Sequence, residues 1–137
     1  MDNPAVTEGM VLAAWQTWEH TIIRWGVALV LLSVWTWRCN RCTKFRAKGA
    51  RSMKEEFRVY GLSRATMYVV GFLKIVISGI FIFGHNVPFL IRPAALLLMI
   101  LMSVAVLCHL KVERHRYSKA CPAYLILFFA TYLAIRH

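Results

Sequence analysis

Acidic residues are scarce in this 137-residue chain, six against seventeen Lys and Arg, and Asp2 is the single aspartate. A Ser-His-Asp triad needs a carboxylate to orient its histidine. Neither GxSxG nor a phosphate-cradling glycine loop occurs. Autonomous hydrolases and kinases are therefore set aside. One neighbouring carboxylate pair exists, Glu55 and Glu56, and it reads as solvent-side. Internal repeats and low-complexity tracts are absent, so a transporter rocking between inverted halves has no basis. Chain breakers are few, and Pro88, Pro93 and Pro122 fall at the edges of apolar stretches, where proline is tolerated. The N-terminus lacks the positive region of a cleaved signal, carrying Asp2 and Glu8 instead, and is expected to stay on the mature protein.

What remains is apolar: 59% of residues are hydrophobic and only 17% charged. Four stretches, at about 22–37, 65–84, 93–110 and 121–135, approach the roughly 20 apolar residues that a spanning helix needs. The sequence thus predicts an all-α fold, a four-transmembrane-helix bundle in a single domain covering 1–137. A net charge of +11 would suggest nucleic acid in a soluble protein, but here the positions of the charges argue otherwise. Arg38, Arg41, Lys44, Arg46, Lys48, Arg51, Lys54, Arg58 and Arg64 separate the first two spans, and Lys111, Arg114, Arg116 and Lys119 the last two, whereas the middle gap holds Arg92 alone. Four spans put the first and third connections on one side, which the positive-inside rule makes the cytoplasm, matrix or stroma. Both termini then face the other, non-cytoplasmic side.

Val11, Trp15, Trp18, Ile22, Trp25 and Leu29 recur at helical spacing, so the first helix is expected to start near Met10 and reach Trp37. That exceeds the ~30 Å hydrocarbon core, and its first third should lie among headgroups with Glu19, His20 and Arg24 wetted. The tryptophans form an aromatic belt at each end. Between spans one and two, Ala50, Met53, Phe57 and Tyr60 follow a 3.6 period opposite Arg51, Lys54, Glu55 and Arg58. This predicts a short amphipathic interfacial helix at about 47–60, stopped by Gly61, with Ser63 capping the next span. Arg46, Lys48, Arg51, Lys54 and Arg58 would hold it on anionic lipid or an acidic partner.

Phe57-Arg58-Val59-Tyr60-Gly61-Leu62-Ser63, then Tyr68-Val69-Val70-Gly71-Phe72-Leu73-Lys74 and Gly79-Ile80-Phe81-Ile82-Phe83-Gly84, resemble the middle of DoxX-like membrane proteins, the likeness extending over roughly 26–135. The resemblance implies a four-helix membrane bundle with an amphipathic stretch after its first helix. It also implies a habit of partnership, since the family takes its name from a small subunit of an archaeal terminal quinol oxidase. Relatives serve in oxidoreductase assemblies or as receptor-assembly chaperones. The family's second span often carries a carboxylate near the position of Lys74, and here the sign is reversed.

Lys74 lies about ten residues from either end of its span, roughly 15 Å from each interface. Gly71, Lys74 and Ser78 share a helical face with Gly79 beside them, which directs the ammonium at a close-packed neighbour. Carbonyls, a hydroxyl or water inside the bundle would satisfy it; among external partners a carboxylate on another subunit ranks ahead of a lipid phosphate or a quinone carbonyl. Ala123, Ala130 and Ala134 make a second small-residue stripe, suited to packing within the bundle or to contact with a partner in the membrane.

Cys39 and Cys42 form a CxxC, and topology brings Cys108 and Cys121 to the same face near His109 and His115. A zinc site or a quinone-linked thiol relay is the sharp reading. Ordinary thiols on the reducing side are the bland one, and they are favoured. No metal is expected. His20, His85 and His137 at the outer side read as interfacial histidines rather than haem ligands.

The sequence therefore predicts a non-catalytic accessory or structural subunit of an energy-transducing membrane complex, respiratory or photosynthetic, with the mitochondrial inner membrane favoured over plasma membrane or thylakoid. Partners would be other integral membrane subunits and anionic lipids, and no nucleic acid. No cofactor is expected in the chain beyond bound phospholipid; quinone or haem would come through partner subunits. The alternatives are a thiol oxidoreductase using the CxxC and an assembly chaperone for multi-spanning proteins.

Overall fold

Asn3 opens the first helix by accepting a hydrogen bond from the Ala5 N–H at 3.2 Å, and Pro4 follows where a missing N–H costs nothing. From there α1 runs Pro4–Leu32 and continues through a π turn, Ser33–Trp37, closed by the Arg38 N–H on the Ser33 carbonyl at 2.8 Å. The computed structural model describes residues 3–38, 50–112 and 121–136, and the regular structure among them is helical, with no strand.

Ser52 caps α2, Met53–Val59, through the Glu55 N–H at 3.3 Å, while the Glu55 carboxylate reaches back to the Arg51 N–H at 2.7 Å. Gly61 ends this turn as expected. At φ 77 it lets the Leu62 N–H close back on the Phe57 carbonyl at 2.9 Å, a bond that a side chain at position 61 would oppose. Ser63 then caps α3, Arg64–Ile82, by accepting from the Thr66 N–H at 3.2 Å. The portion of the expected interfacial helix before position 50, with Arg46 and Lys48, lies outside the described residues.

Helix α4 spans Pro88–Val112 and α5 spans Cys121–Arg136. Pro93 proves to be inside α4 rather than at its edge. As the sixth residue of the helix it gives up the bond its N–H would have made to the Phe89 carbonyl, and its ring crowds that carbonyl. Helices α1 (with its π turn), α3 and α4 are long and apolar enough to cross a membrane, and α5 is apolar but shorter at 16 residues. The chain is thus a multi-pass integral membrane protein by length, composition and patterning.

α1 packs chiefly on α3, and α5 along α4. Their shared core gathers Val27, Ala28 and Leu31 from α1, Ile77 and Phe81 from α3, Ile91, Ala95 and Leu98 from α4, and Ala130 and Leu133 from α5. Phe72, Ile100, Leu107 and Phe128 look outward, exposed to what would be lipid. The amphipathic α2 packs against α3, and through Tyr60 it meets His109 near the end of α4.

Candidate functional site

α2 brings a carboxylate into the bundle. Met53, Phe57 and Tyr60 define the face that packs inward, and Glu56, one turn after Met53 and one turn before Tyr60, falls on it. Glu56 is only 7% exposed, whereas Glu55 is exposed, so the solvent-side expectation holds for one member of the pair and is corrected for the other. The Tyr60 hydroxyl donates to Glu56 Oε1 at 2.8 Å and lies 3.0 Å from Nε2 of His109, near the end of α4. His109 Nε2 is itself 3.6 Å from Glu56 Oε1. Elements distant in sequence are tied by this contact, which gives the carboxylate the partners that burial demands.

Lys74 approaches from α3. It is 9% exposed, its Nζ stands 5.1 Å from the centroid of the Trp35 ring, and Glu56 is the carboxylate that acts on it electrostatically. An ammonium deep in a span is costly unless a polarisable face or a counter-charge receives it; the Trp35 ring supplies the face, and Glu56 acts from beyond salt-bridge distance. Within the chain the ammonium meets the Trp35 face, which the sequence reading, weighing carbonyls, a hydroxyl, water or an external carboxylate, did not consider. That reading also looked for carboxylates in spanning helices, whereas Glu56 is buried on the interfacial α2.

Gly71 makes room for the aromatic wall. A Cβ there would meet Cε3 and Cζ3 of Trp35 at 2.6 and 2.8 Å. Trp35 in turn meets Phe57 edge-on, with centroids 6.2 Å apart, and Phe57 lies 6.3 Å from Tyr60. Gly71, Lys74 and Ser78 do share one buried face, yet the chain's own α1 and α2 occupy it, and Gly79 beside them is half-buried. The Ser78 hydroxyl donates to the Lys74 carbonyl at 2.8 Å rather than serving the ammonium. Ala130 and Ala134 are buried in the bundle core, and Ala123 is packed against it. These small residues are therefore used in packing the bundle itself, because closely approaching helices must have such faces somewhere.

Chemically, the cluster is a hydrogen-bonded clamp. A hydroxyl that donates to a carboxylate can also accept from an imidazole, so Tyr60 can bridge His109 and Glu56. Helical phase was the signal that could have found Glu56 and Tyr60. His109 had none, since its meeting with α2 depends on tertiary packing.

On the outer side of α2, Ser52, Lys54, Glu55, Arg58 and Arg64 rim a cavity of about 300 Å³ with Phe57, Leu62 and Met67 beneath. Three cations over an apolar floor at a membrane interface suit an anionic headgroup. Arg51 is exposed nearby in sequence, while Arg46 and Lys48 lie outside the described residues.

Cys108 is half-buried and Cys121 exposed, both as free thiols, and Cys39 and Cys42 lie outside the described residues. Among the described residues no three His, Cys, Asp or Glu converge as metal ligands. His20 rests on the Tyr132 ring with centroids 5.5 Å apart, and His85 is exposed. Arg24, expected to be wetted, is instead 7% exposed. Its Nη1 occupies the space that a Cβ on Gly84 would fill, beside Ile91.

Comparison with known families agrees with this architecture. The chain matches the model described as the DoxX-like family over residues 42–132, well over half its length, and it belongs to that family. Neither a curated protein nor a solved structure matches it.

Proposed function

We propose that this DoxX-like chain is a non-catalytic accessory subunit of a larger energy-transducing membrane complex, in a membrane such as the mitochondrial inner membrane, contributing helix packing and lipid binding. The observation that supports the reading is that Lys74, buried within α3, has its Nζ 5.1 Å from the Trp35 ring of the same chain, with Gly71 and Ser78 buried on the same face. With its interior so occupied, the bundle acts through its surface. That surface has two parts, an apolar perimeter including Tyr68, Phe72, Ile100 and Phe128, and a basic rim of Arg51, Lys54, Arg58 and Arg64.

The clamp serves the rim. Glu56, Tyr60 and His109 fasten α2 to the bundle, which fixes the direction in which its cations are offered to anionic headgroups or to an acidic neighbour. The positive-inside rule puts this rim in the cytoplasm, matrix or stroma and both termini on the opposite side. Such a role needs no chemistry of the chain's own; quinone or haem would belong to partner subunits.

Purification in mild detergent tests the proposal. A stable subunit co-purifies one to one with other integral membrane proteins of an electron-transport complex. Recovery of the chain alone, or with a varied set of substoichiometric clients as for an assembly chaperone, would overturn it.

A further inference from the structure

The first half of α1 has no bundle beside it. Every residue from Asn3 to Glu19 is exposed, with Met10, Trp15 and Trp18 at 69%, 69% and 66%. The neighbouring elements stop sooner, for Arg24 is level with Gly84, beyond the end of α3, and His20 is level with Tyr132 near the end of α5. Pro4 to Glu19 therefore carries about 24 Å of apolar helix past the bundle at 1.5 Å per residue. Upright in water, such a segment would expose two tryptophans and their apolar neighbours, which the hydrophobic effect opposes.

Its apolar stripe has a direction. Val11, Trp15, Trp18 and Ile22 continue the face of Trp25 and Leu29, opposite the Arg24, Val27, Ala28 and Leu31 face that packs on the bundle. The stripe is thus continuous with the lipid-facing side of the spanning half, and it is the side that turns down onto the leaflet when the helix leans away from the bundle. At the junction the Thr17 hydroxyl donates to the Ala13 carbonyl and the Thr21 hydroxyl to the Thr17 carbonyl, both at 2.9 Å, within a continuous helix. Back-bonding of this kind loosens the helical ladder and bends helices. Thr17 lies off the tryptophan stripe and Thr21 lies beside Trp18 and Trp25, between the exposed segment and the packed half of the helix.

Charge selects the leaflet. Glu8 and Glu19 are the charged residues between Pro4 and Ile23, so nothing in the segment attracts anionic headgroups.

We propose that Pro4–Glu19 lies along the leaflet opposite the basic connections, hinged at Thr17–Thr21, with Val11, Trp15 and Trp18 seated at the acyl boundary of zwitterionic phospholipid. It serves as a second interfacial anchor, which sets the tilt of α1 where α2 holds the other end. This inference rests on the multi-pass reading and not on the accessory-subunit role.

The test is depth-resolved quenching on the full chain in phosphatidylcholine nanodiscs, with bromine on the acyl chains near the ester. The emission lost in the Trp15→Phe/Trp18→Phe variant isolates those two indoles, and substitution at exposed positions leaves the bundle intact. That component should fall about twofold or more with brominated lipid and respond weakly to aqueous iodide, as interfacial tryptophans do. Strong iodide quenching without a bromolipid effect would overturn the proposal by leaving the helix upright in water. So would protection from both quenchers, which would mean cover by protein such as a second copy. Thr17→Ala/Thr21→Ala should straighten the helix and weaken the bromolipid effect, and an unchanged effect would remove the hinge.

Discussion

Neutralising Glu56 and Lys74 singly and together gives the sharpest test of the clamp. Glu56→Gln keeps the shape and an acceptor for the Tyr60 hydroxyl but removes the charge. It leaves an ammonium that is nine-tenths buried with the Trp35 face as its remaining described neighbour. Glu56 acts on Lys74 from beyond salt-bridge distance, so its loss costs less than the about 3–5 kcal/mol of a close buried pair, and the indole face keeps about 0.5–2 kcal/mol. The expected loss is therefore about 2–3 kcal/mol. Lys74→Met, which strands the carboxylate, should cost about 2 kcal/mol, less because Tyr60 and His109 still face Glu56. The double variant replaces the pair by neutral groups of similar size and should cost about 1–2 kcal/mol, giving a coupling of about 2–3 kcal/mol. Unfolding by titration with sodium dodecyl sulfate in mixed micelles, followed by circular dichroism, measures all four proteins. Additive single effects, with coupling under about 0.5 kcal/mol, would refute the reasoning, because they would mean that the two charges do not sense each other.

Gly71→Ala should push Trp35 off α3 at a cost of about 1–3 kcal/mol, read as a lower unfolding midpoint together with a shift in Trp35 emission that is absent in a Trp35→Phe background. An unshifted spectrum would mean that the indole does not sit on Gly71. Reversing Lys54 and Arg58 to Glu should reduce retention of phosphatidylglycerol over phosphatidylcholine about tenfold or more by native mass spectrometry, at roughly 1 kcal/mol per cation removed. Equal retention would detach the α2 rim from lipid binding. Cys121 should alkylate faster than the half-buried Cys108, with neither rate altered by prior reduction, and a reductant-dependent change would revive thiol redox chemistry.

The apolar spans, the cationic connections, the cap at Ser63 and the stop at Gly61 were all legible in the sequence, because each depends on local chemistry. Ser63, for instance, is marked as a cap by its place just ahead of an apolar helix, and Gly61 by the positive φ that ends α2. Lys74 was legible as a problem, since an ammonium ten residues inside a span calls for a partner wherever the helix goes. Its answer was not. How strongly Lys74 senses Glu56 depends on how closely α2 packs against α3. Seating Tyr60 on His109 joins residues 49 positions apart, and burying Arg24 depends on Gly84 lacking a side chain. Periodicity assigns a residue to a face, but it cannot say which neighbouring helix that face will meet. Only the packed bundle decided that Gly71 and Ser78 look inward at the chain itself, because helix pairing is settled by complementary shapes and opposed charges drawn from distant segments.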